Sequence, residues 1–167
     1  MKKAMLMMVL MLVPFAMQAQ TKYHDVEAND AKGAVKSLTV SMMGQEQTIS
    51  FTKEGKQEGL TNAVYDDNGY LKSADREERG MAIATTYQWE NGKVKSQTAN
   101  VMGQQMPMVN TFNDKGELVK TTMNMGGQEM AIEYSDYKYD DHGNWISRKV
   151  SVMGQTMDTP RTIVYYE

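Results

Sequence analysis

The sequence predicts an all-β protein, an antiparallel meander of β-hairpin repeats with about 10 to 11 strands, curled into a barrel-like or shell-like sheet. Three observations support this prediction. Five glycines are each followed by a second glycine eleven residues later, which indicates one structural unit copied along the chain. Apolar and polar side chains alternate between the two glycines, as in strands with one buried face. Beyond the N-terminal region, every stretch with a helix-like period is interrupted by a glycine.

The first element is a predicted signal peptide over residues 1–19. Lys2 and Lys3 form a positive start, residues 4–16 are apolar apart from one proline, and Ala19 is a small residue at the cleavage position. The alternative is a short membrane anchor, but the apolar run is too short to span a bilayer well. We therefore predict an exported protein, periplasmic or extracellular, whose residues 20–167 form a single β-repeat domain.

The first glycine of each repeat closes a run of turn-forming residues, such as Asp66-Asp67-Asn68-Gly69. We expect a type I turn whose glycine adopts the left-handed conformation in a β-bulge. The bulge would place the apolar residue two positions later on the same face as those seven and nine positions later. These first glycines are Gly33, Gly69, Gly92, Gly116 and Gly143, and the apolar residues are Val35, Leu71, Val94, Leu118 and Trp145.

The second glycine of each repeat predicts a tight hairpin tip. A type II′ turn favours glycine at its first central position, so we expect Gly-Gln at the centre of four tips, at Gly44, Gly103, Gly127 and Gly154. In the third repeat this register pairs Val101 with Met106 and Ala99 with Met108. The same register gives Met125–Met130, Met123–Ile132, Thr121–Tyr134, Val40–Ile49 and Leu38–Phe51 in other repeats. The second glycines are Gly44, Gly80, Gly103, Gly127 and Gly154.

Two departures from the repeat predict local features. Arg76 and Glu78 replace apolar residues in the copy that starts at Gly69, so this copy is expected to be an edge or a polar seam. An extra turn at Lys53–Lys56 predicts one short additional strand. A long meander with one apolar face must curl, fold into two layers or dimerise, and the sequence leaves these alternatives open.

The turn segments resemble the Tyr-Asp-x-x-Gly-x-Leu core of YD (Rhs-type) repeats. Residues 65–71 and 139–145 match it best, residues 112–118 form a weaker copy, and the copy at 89–92 is one residue short. The resemblance implies a chain of β-hairpins that coil into a sheet or shell in exported proteins. Large members of that family enclose a toxin or present a cell-surface binding face. The Met-Gly-Gln tips of this chain depart from the family's pattern.

Residues suited to catalysis are sparse, and the sequence predicts neither an enzyme nor a cofactor. The chain contains 2 histidines and no cysteine. His142 lies in a turn, and His24 is expected in a mobile N-terminal stretch. Neither histidine is therefore predicted to lie beside the partner residues that acid–base or nucleophilic catalysis needs. The acidic turns at 66–68 and 140–141 offer oxygen ligands for calcium, but turn formation alone explains their composition.

Methionine is the most unusual component, with 17 residues. Thioether sulfur selects Cu(I), so the alternative metal site comprises Met102, Met106, Met108, Met123, Met125 and Met130. Core packing is the favoured interpretation for all of these except Met102. Met43, Met102 and Met153, beside the tips, are expected to point outward, where they could form an adhesive rim.

The predicted function is a non-enzymatic binding or structural role at the cell envelope, with an unidentified protein or glycan as partner. The net charge of -3 and the scattered basic residues argue against nucleic acid. Two alternatives are a periplasmic Cu(I)-binding protein and a small outer-membrane β-barrel. Against the latter, and against membrane insertion, the apolar face also carries Arg76, Glu78, Arg148 and Arg161, and a charge near the bilayer midplane costs about 2–4 kcal/mol.

Overall fold

The computed structural model describes residues 22–78 and 80–167, except for the side chain of Met125; the predicted signal peptide lies outside this part of the chain. The described residues form one short helix and eleven strands. The helix is α1 (Asp25–Ala28). The strands are β1 (Val35–Met42), β2 (Gln45–Ser50), β3 (Thr61–Tyr65), β4 (Leu71–Glu78), β5 (Met81–Glu90), β6 (Lys93–Val101), β7 (Gln104–Phe112), β8 (Leu118–Met125), β9 (Gln128–Tyr139), β10 (Trp145–Val152) and β11 (Gln155–Tyr165).

All strands belong to one antiparallel sheet in the order β2-β1-β11-β10-β9-β8-β7-β6-β5-β4-β3. Strands adjacent in the chain are therefore adjacent in the sheet, except β2 and β3, which form its two edges; in addition, β1 pairs with the last strand, β11. The two edge strands, β2 and β3, are joined by residues 51–60. The prediction of an all-β hairpin meander is confirmed, and β3 is the short additional strand.

The sheet is curled but not closed. The curl is evident from a short N-terminal stretch, which contacts strands that are far apart in the sheet order. Asp25 accepts a hydrogen bond from Tyr65 in β3, and the backbone oxygen of Asp30 accepts one from Arg161 in β11. In a flat sheet, eight strand steps would separate β3 from β11 by about 38 Å. The stretch from Asp25 to Asp30 spans much less than its extended limit of about 18 Å, because Asp25–Ala28 is helical, and the side chains of Tyr65 and Arg161 add only part of the remaining distance. Curling brings the two strands within this reach.

The predicted β-bulges are confirmed at the start of the repeats, but the predicted type I turn is wrong at Asn91-Gly92, where both residues have positive φ as in a type I′ turn. The register shifts between Val94 and Ser96 and between Trp145 and Ser147, for example, after their respective turns. Equivalent shifts occur after the other first glycines, and all five glycines have positive φ. The extra residue rotates the strand, so the apolar residues of the bulges are all buried: Val35, Leu71, Val94, Leu118 and Trp145.

The bulge carbonyls are hydrogen-bonded to side chains in a recurring way. The carbonyl oxygens of four bulge residues, Leu71, Val94, Leu118 and Trp145, each accept a hydrogen bond from a side chain on the second strand of the same repeat. The donors are Trp89, Asn110, Tyr137 and Arg161, at 2.8, 2.9, 2.6 and 2.8 Å respectively. Four different residue types therefore perform one structural task, which makes the pattern hard to see in the sequence.

The predicted centre of the hairpin tips is wrong by one residue. Met102 and Gly103, not Gly103 and Gln104, form the third tip, with φ of 52° and 84°. Positive φ at both central residues defines a type I′ turn, whose twist matches that of the strands. The other tips are Met43-Gly44, Gly126-Gly127 and Met153-Gly154, in place of the predicted Gly44-Gln45, Gly127-Gln128 and Gly154-Gln155.

The strand pairing shifts accordingly, but the buried faces do not change. Ala99 pairs with Met106 and not with Met108, because moving a tip by one residue moves the pairing by two. A shift of two preserves the side-chain alternation, so each residue stays on its predicted face. The corrected pairs are Val101–Gln104, Gln97–Met108, Met123–Met130, Thr121–Ile132 and Leu38–Ile49. Tyr134 pairs with Val150, and Phe51 pairs with Gln57.

The polar copy of the repeat is a seam within the sheet and not an edge. Strand β4 pairs on both sides, with β3 and β5. Arg76 and Glu78 form an ion pair of 3.3 Å on this strand. Arg148 and Arg161, on the same apolar face as Val150, point into the curled sheet, where they contact Trp145.

The stretch that the sequence predicts to be mobile is packed against the sheet. We call residues 22–34 the N-terminal segment. Val26 and Ala31 in this segment form a buried cluster with Val35, Leu38 and Phe51. The ring of His24 stacks on Tyr70 with a centroid distance of 4.1 Å. The expectation of mobility is wrong because this segment covers apolar surface on the curled sheet.

Candidate ligand-binding cleft

The candidate site is a cleft of about 320 Å³ between the N-terminal segment and three neighbouring turns. The turns connect β5 to β6, β7 to β8 and β9 to β10, and we call the site the turn cleft. Its volume lies at the lower end of the range of small-molecule sites, about 300–1,000 Å³. The sequence does not predict this cleft, because it forms only where the N-terminal segment meets the turns.

Side-chain oxygens hold two of these turns in a common shape. Asn113 Oδ1 accepts hydrogen bonds from the amides of Lys115 and Glu117, at 3.0 and 2.9 Å. Asp140 Oδ1 accepts from the amides of His142 and Asn144, at 3.0 and 2.8 Å. The Tyr-Asp-x-x-Gly pattern thus encodes a turn stabilised by its own Asp or Asn side chain.

A buried asparagine fixes the N-terminal segment to the third turn. Asn144 Oδ1 accepts a hydrogen bond from the Lys32 amide at 2.8 Å, and Asn144 Nδ2 donates to the Lys32 carbonyl oxygen at 2.9 Å. The same Nδ2 donates to the hydroxyl of Tyr165 at 2.8 Å. Tyr165 in turn donates to Asp140 Oδ2 at 2.5 Å. Burial alone would raise the pKa of Asp140, but these donors hold it below its ordinary value.

Trp145 lies between two guanidinium groups at the base of the cleft. The guanidinium carbons of Arg148 and Arg161 are 4.1 and 3.7 Å from the indole ring centroid. Arg148 also approaches Asp30 Oδ2 at 3.5 Å. Burial raises the pKa of Asp30, and the charges of Arg148 and Arg161 oppose this shift. Burial also lowers the pKa of Arg161 to about 10.

Two tyrosines form one wall of the cleft. The rings of Tyr137 and Tyr139 are nearly parallel, at an interplanar angle of 14° and a centroid distance of 5.9 Å. Tyr139 donates a hydrogen bond to Glu117 Oε1 at 2.5 Å, which lowers the pKa of Glu117. Burial raises the pKa of Tyr137 to about 12. The hydroxyls of both tyrosines are hydrogen-bonded within the protein. Tyr139 can therefore contact a ligand through the face of its half-exposed ring.

Three lysines also line the cleft, namely Lys32, Lys93 and Lys115. The Nζ of Lys32 lies over Gly143, at 2.8 Å from the position that a β-carbon would take there. The Cε of Lys93 lies over Gly116 in the same way, at 3.3 Å. The glycines therefore leave space for lysine head groups on the neighbouring turns.

The methionines proposed as copper ligands are partly brought together. In the pairing of β7, β8 and β9, Met108 is opposite Met123, and Met123 is opposite Met130. Met106, two residues before Met108 in β7, pairs with buried Ala99. Met102 is separate, since it is 85% exposed at a tip, like Met43 (82%) and Met153 (85%). The side chain of Met125 lies outside the described residues. Gln97 donates a hydrogen bond to the sulfur of Met108 at 3.6 Å.

The acidic turns do not form a metal centre in the part of the chain that the structure describes. No group of three or more His, Asp or Glu side chains is placed to hold a metal ion there. His142 stacks on Tyr165, at 4.0 Å between ring centroids, and His24 pairs with Glu27 at 3.6 Å. Within residues 22–78 and 80–167, no helix is long and apolar enough to cross a membrane.

A scan of known protein families gives no match to this chain, and neither does a search of curated proteins. The resemblance to YD repeats therefore stays a prediction.

Proposed function

We propose that the protein is an exported, non-enzymatic binding protein of the cell envelope, and that its ligand binds in the turn cleft. The observation that carries this proposal is the cleft itself, which combines a half-exposed aromatic wall with lysine head groups on rigid turns. Ligand sites commonly combine apolar walls with a few fixed polar groups. The structural hydrogen bonds of Asn113, Asp140 and Asn144 keep these turns in place before a ligand arrives.

The carboxylates near the cleft support a binding role over acid–base catalysis. Asp30 is paired with Arg148, Glu117 accepts hydrogen bonds from Tyr139 and Asn113, and Glu27 lies beside His24. The carboxylates of Asp30 and Glu117 are thus engaged in holding the structure, and Glu27 Oε2 is buried without a hydrogen-bond partner among the described residues. General acid–base catalysis needs a group that is free to exchange a proton with the substrate.

The proposal is tested by screening the purified protein on an array of glycans and peptidoglycan fragments. We expect Tyr139→Ala to abolish the binding seen with the unsubstituted protein, because the aromatic wall is lost. Met102→Ala, which removes an exposed side chain at a distant tip, is the matched control and should bind normally. Binding that survives Tyr139→Ala would place the ligand elsewhere. Export is tested separately by cell fractionation and by the mass of the mature chain.

A second candidate function is Cu(I) binding, favoured by the adjacent positions of Met108, Met123 and Met130 across three strands. A Cu(I) titration against a competing chelator tests it. A tight site of whole-number stoichiometry that Met123→Leu removes would support this candidate. Affinity no greater than that of an unstructured methionine peptide would eliminate it.

A further inference from the structure

We infer that the ligand of the turn cleft is an acidic saccharide, a segment of polysaccharide that carries carboxylates on some of its sugars. This inference rests on the proposed binding function and specifies its ligand. It follows from three properties of the cleft: unpaired ammonium groups, their spacing along the turns, and the mixture of aromatic rings with carboxylates.

The ammonium groups of the cleft make no ion pair in the described part of the chain, although the charges of Lys93 and Lys115 act on the carboxylates of Asp30 and Glu117. Among residues 22–78 and 80–167, Lys32 and Lys115 make no side-chain hydrogen bond or ion pair, and Lys93 contacts the ring of Phe112 at 5.1 Å. Of the three carboxylates that line the cleft, Asp30 is held by Arg148 and Glu117 by Tyr139 with Asn113, whereas Glu27 Oε1 lies 3.6 Å from His24 and Glu27 Oε2 has no hydrogen-bond partner among the described residues. The unused binding capacity is therefore that of donors with positive charge, which suits an anionic ligand.

The positive groups are spread along the cleft instead of meeting at one point. The head group of Lys32 lies on the turn at Gly143, and that of Lys93 lies on the turn at Gly116. Neighbouring turns in this sheet are two strands apart, which is about 10 Å. A single compact anion would reach only one of these positions. An extended chain with repeated anionic groups can reach both.

The aromatic wall indicates sugar rings between the anionic groups. Tyr139 is 44% exposed, and its hydroxyl is already bonded to Glu117. Its free surface is the apolar ring face, beside the parallel ring of Tyr137. The C–H face of a pyranose can pack on such a ring while its hydroxyls remain solvated or hydrogen-bonded. An aliphatic carboxylate could pair with the lysines but would make no stacking contact with the tyrosine rings.

The carboxylates distinguish an acidic saccharide from single-stranded nucleic acid, which also combines anions with rings that stack. Glu27 and Glu117 line the cleft and would repel a closely spaced row of phosphates. The net charge of -3 works in the same direction. Sugar hydroxyls, by contrast, donate hydrogen bonds to carboxylates, whose oxygens accept more than one each. Alternating lysine and glutamate thus suits a ligand with both carboxylates and hydroxyls.

The test is calorimetric titration of the purified protein with tetrasaccharides of three acidic polymers: galacturonan, alginate and hyaluronan. Each is compared with its neutral methyl ester, and an oligothymidylate serves as the nucleic-acid probe. We expect at least one acid form to bind about ten-fold more tightly than its ester and to weaken as salt is added. The double variant Lys32→Gln, Lys115→Gln should lose about ten-fold in affinity. The control, Lys36→Gln with Lys138→Gln, changes two exposed lysines outside the cleft and should bind normally.

The other outcomes would overturn the inference in distinguishable ways. Equal binding of acid and ester would show a neutral glycan ligand, and the proposed function would stand. Tighter binding of oligothymidylate would show a nucleic-acid ligand. If no acidic saccharide binds at millimolar concentration, the inference fails; the binding function itself also fails only if the array shows no ligand that depends on Tyr139.

Discussion

The guanidinium carbon of Arg161 lies 3.7 Å from the centroid of the Trp145 ring, and Arg161 Nε donates a hydrogen bond of 2.8 Å to the Trp145 carbonyl oxygen. The same guanidinium donates to the carbonyl oxygens of Asn29 and Asp30, at 3.2 and 3.1 Å. One side chain of β11 therefore holds both a bulge of β10 and the N-terminal segment that borders the turn cleft.

The first prediction concerns Arg161, which is only 4% exposed. Arg161→Ala removes the donor for three backbone oxygens and leaves Asp30 with less compensating charge. We expect the free energy of unfolding to fall by about 3 kcal/mol, because three backbone oxygens lose a charged hydrogen-bond donor. Arg76→Ala, which removes a half-exposed ion pair with Glu78, should cost less than about 1 kcal/mol. Urea unfolding of both variants measures the difference, and equal losses would contradict a central role for Arg161.

The second prediction concerns the pH dependence of stability. Burial raises the pKa of Asp25 above its ordinary value of 3.8, although the Gln57 amide and the Tyr65 hydroxyl oppose the shift. The folded state therefore favours the protonated form, and Asp25 costs stability as pH rises from about 4 through the raised pKa. Asp25→Asn cannot ionise and still offers an oxygen to both donors. Its free energy of unfolding, relative to the unsubstituted protein, should increase over this range.

Asp140→Asn is the control of opposite sign. The pKa of Asp140 is lowered, so its ionised form contributes stability that is present above about pH 4 and lost as pH falls through the lowered pKa. Relative to the unsubstituted protein, this variant should therefore become less stable as pH rises through the same region. Urea unfolding between pH 3 and 7 gives both curves. A flat difference for Asp25→Asn would show that its carboxyl titrates as in the unfolded chain.

The third prediction concerns the hairpin tips. Met102 has φ of 52° and an exposed side chain, so it bears the cost of the left-handed conformation without compensating packing. Asparagine tolerates this conformation better, and Met102→Asn should raise the free energy of unfolding by about 0.5–1 kcal/mol. Gly103→Val, at φ of 84°, should lower it by more than about 1 kcal/mol. Thermal or urea unfolding distinguishes them; destabilisation by Met102→Asn would argue against the type I′ tip.

The fourth prediction concerns the half-buried methionines. Met123→Leu keeps volume and apolarity, so the free energy of unfolding should change by less than about 1.5 kcal/mol. Met123→Ala should lower it by about 2 kcal/mol, because the neighbouring Met108 and Met130 lose a packing partner. Met153→Ala, at an exposed tip, should be nearly neutral. If Met123→Ala were equally neutral in urea unfolding, Met123 would not be part of the packed face.

Local patterns in the sequence predict most of the sheet. The apolar residue two positions after each first glycine indicates the bulges, and residues such as Val94 and Trp145 are buried as predicted. The sequence does not reveal the tip centre, because a type I′ turn with methionine in a left-handed conformation competes with the expected type II′ turn. Methionine is uncommon at such a position, so residue preference favours the wrong alternative.

The turn cleft could not be predicted, because its parts are distant in sequence. Lys32 meets Asn144 across 112 positions, and Arg161 meets Asp30 across 131. Neither contact follows from periodicity or turn chemistry. The polar composition of residues 22–34 suggested an unpacked stretch, and only the curled sheet provides the surface against which Val26 becomes buried. The strands and turns of this chain can therefore be predicted from local sequence, whereas the turn cleft depends on contacts between residues that are distant in sequence.

The pairing of β1 with β11 has a consequence for the order of folding. Most hairpins in this protein close short loops, but Leu38 must find Ile163, near the opposite end of the chain. Closing so long a loop is entropically costly and slow compared with local hairpin formation. The first hairpin therefore completes its pairing only when the last strand is available. We expect the turn cleft to form at that final step, so that ligand binding would report the arrival of a complete chain.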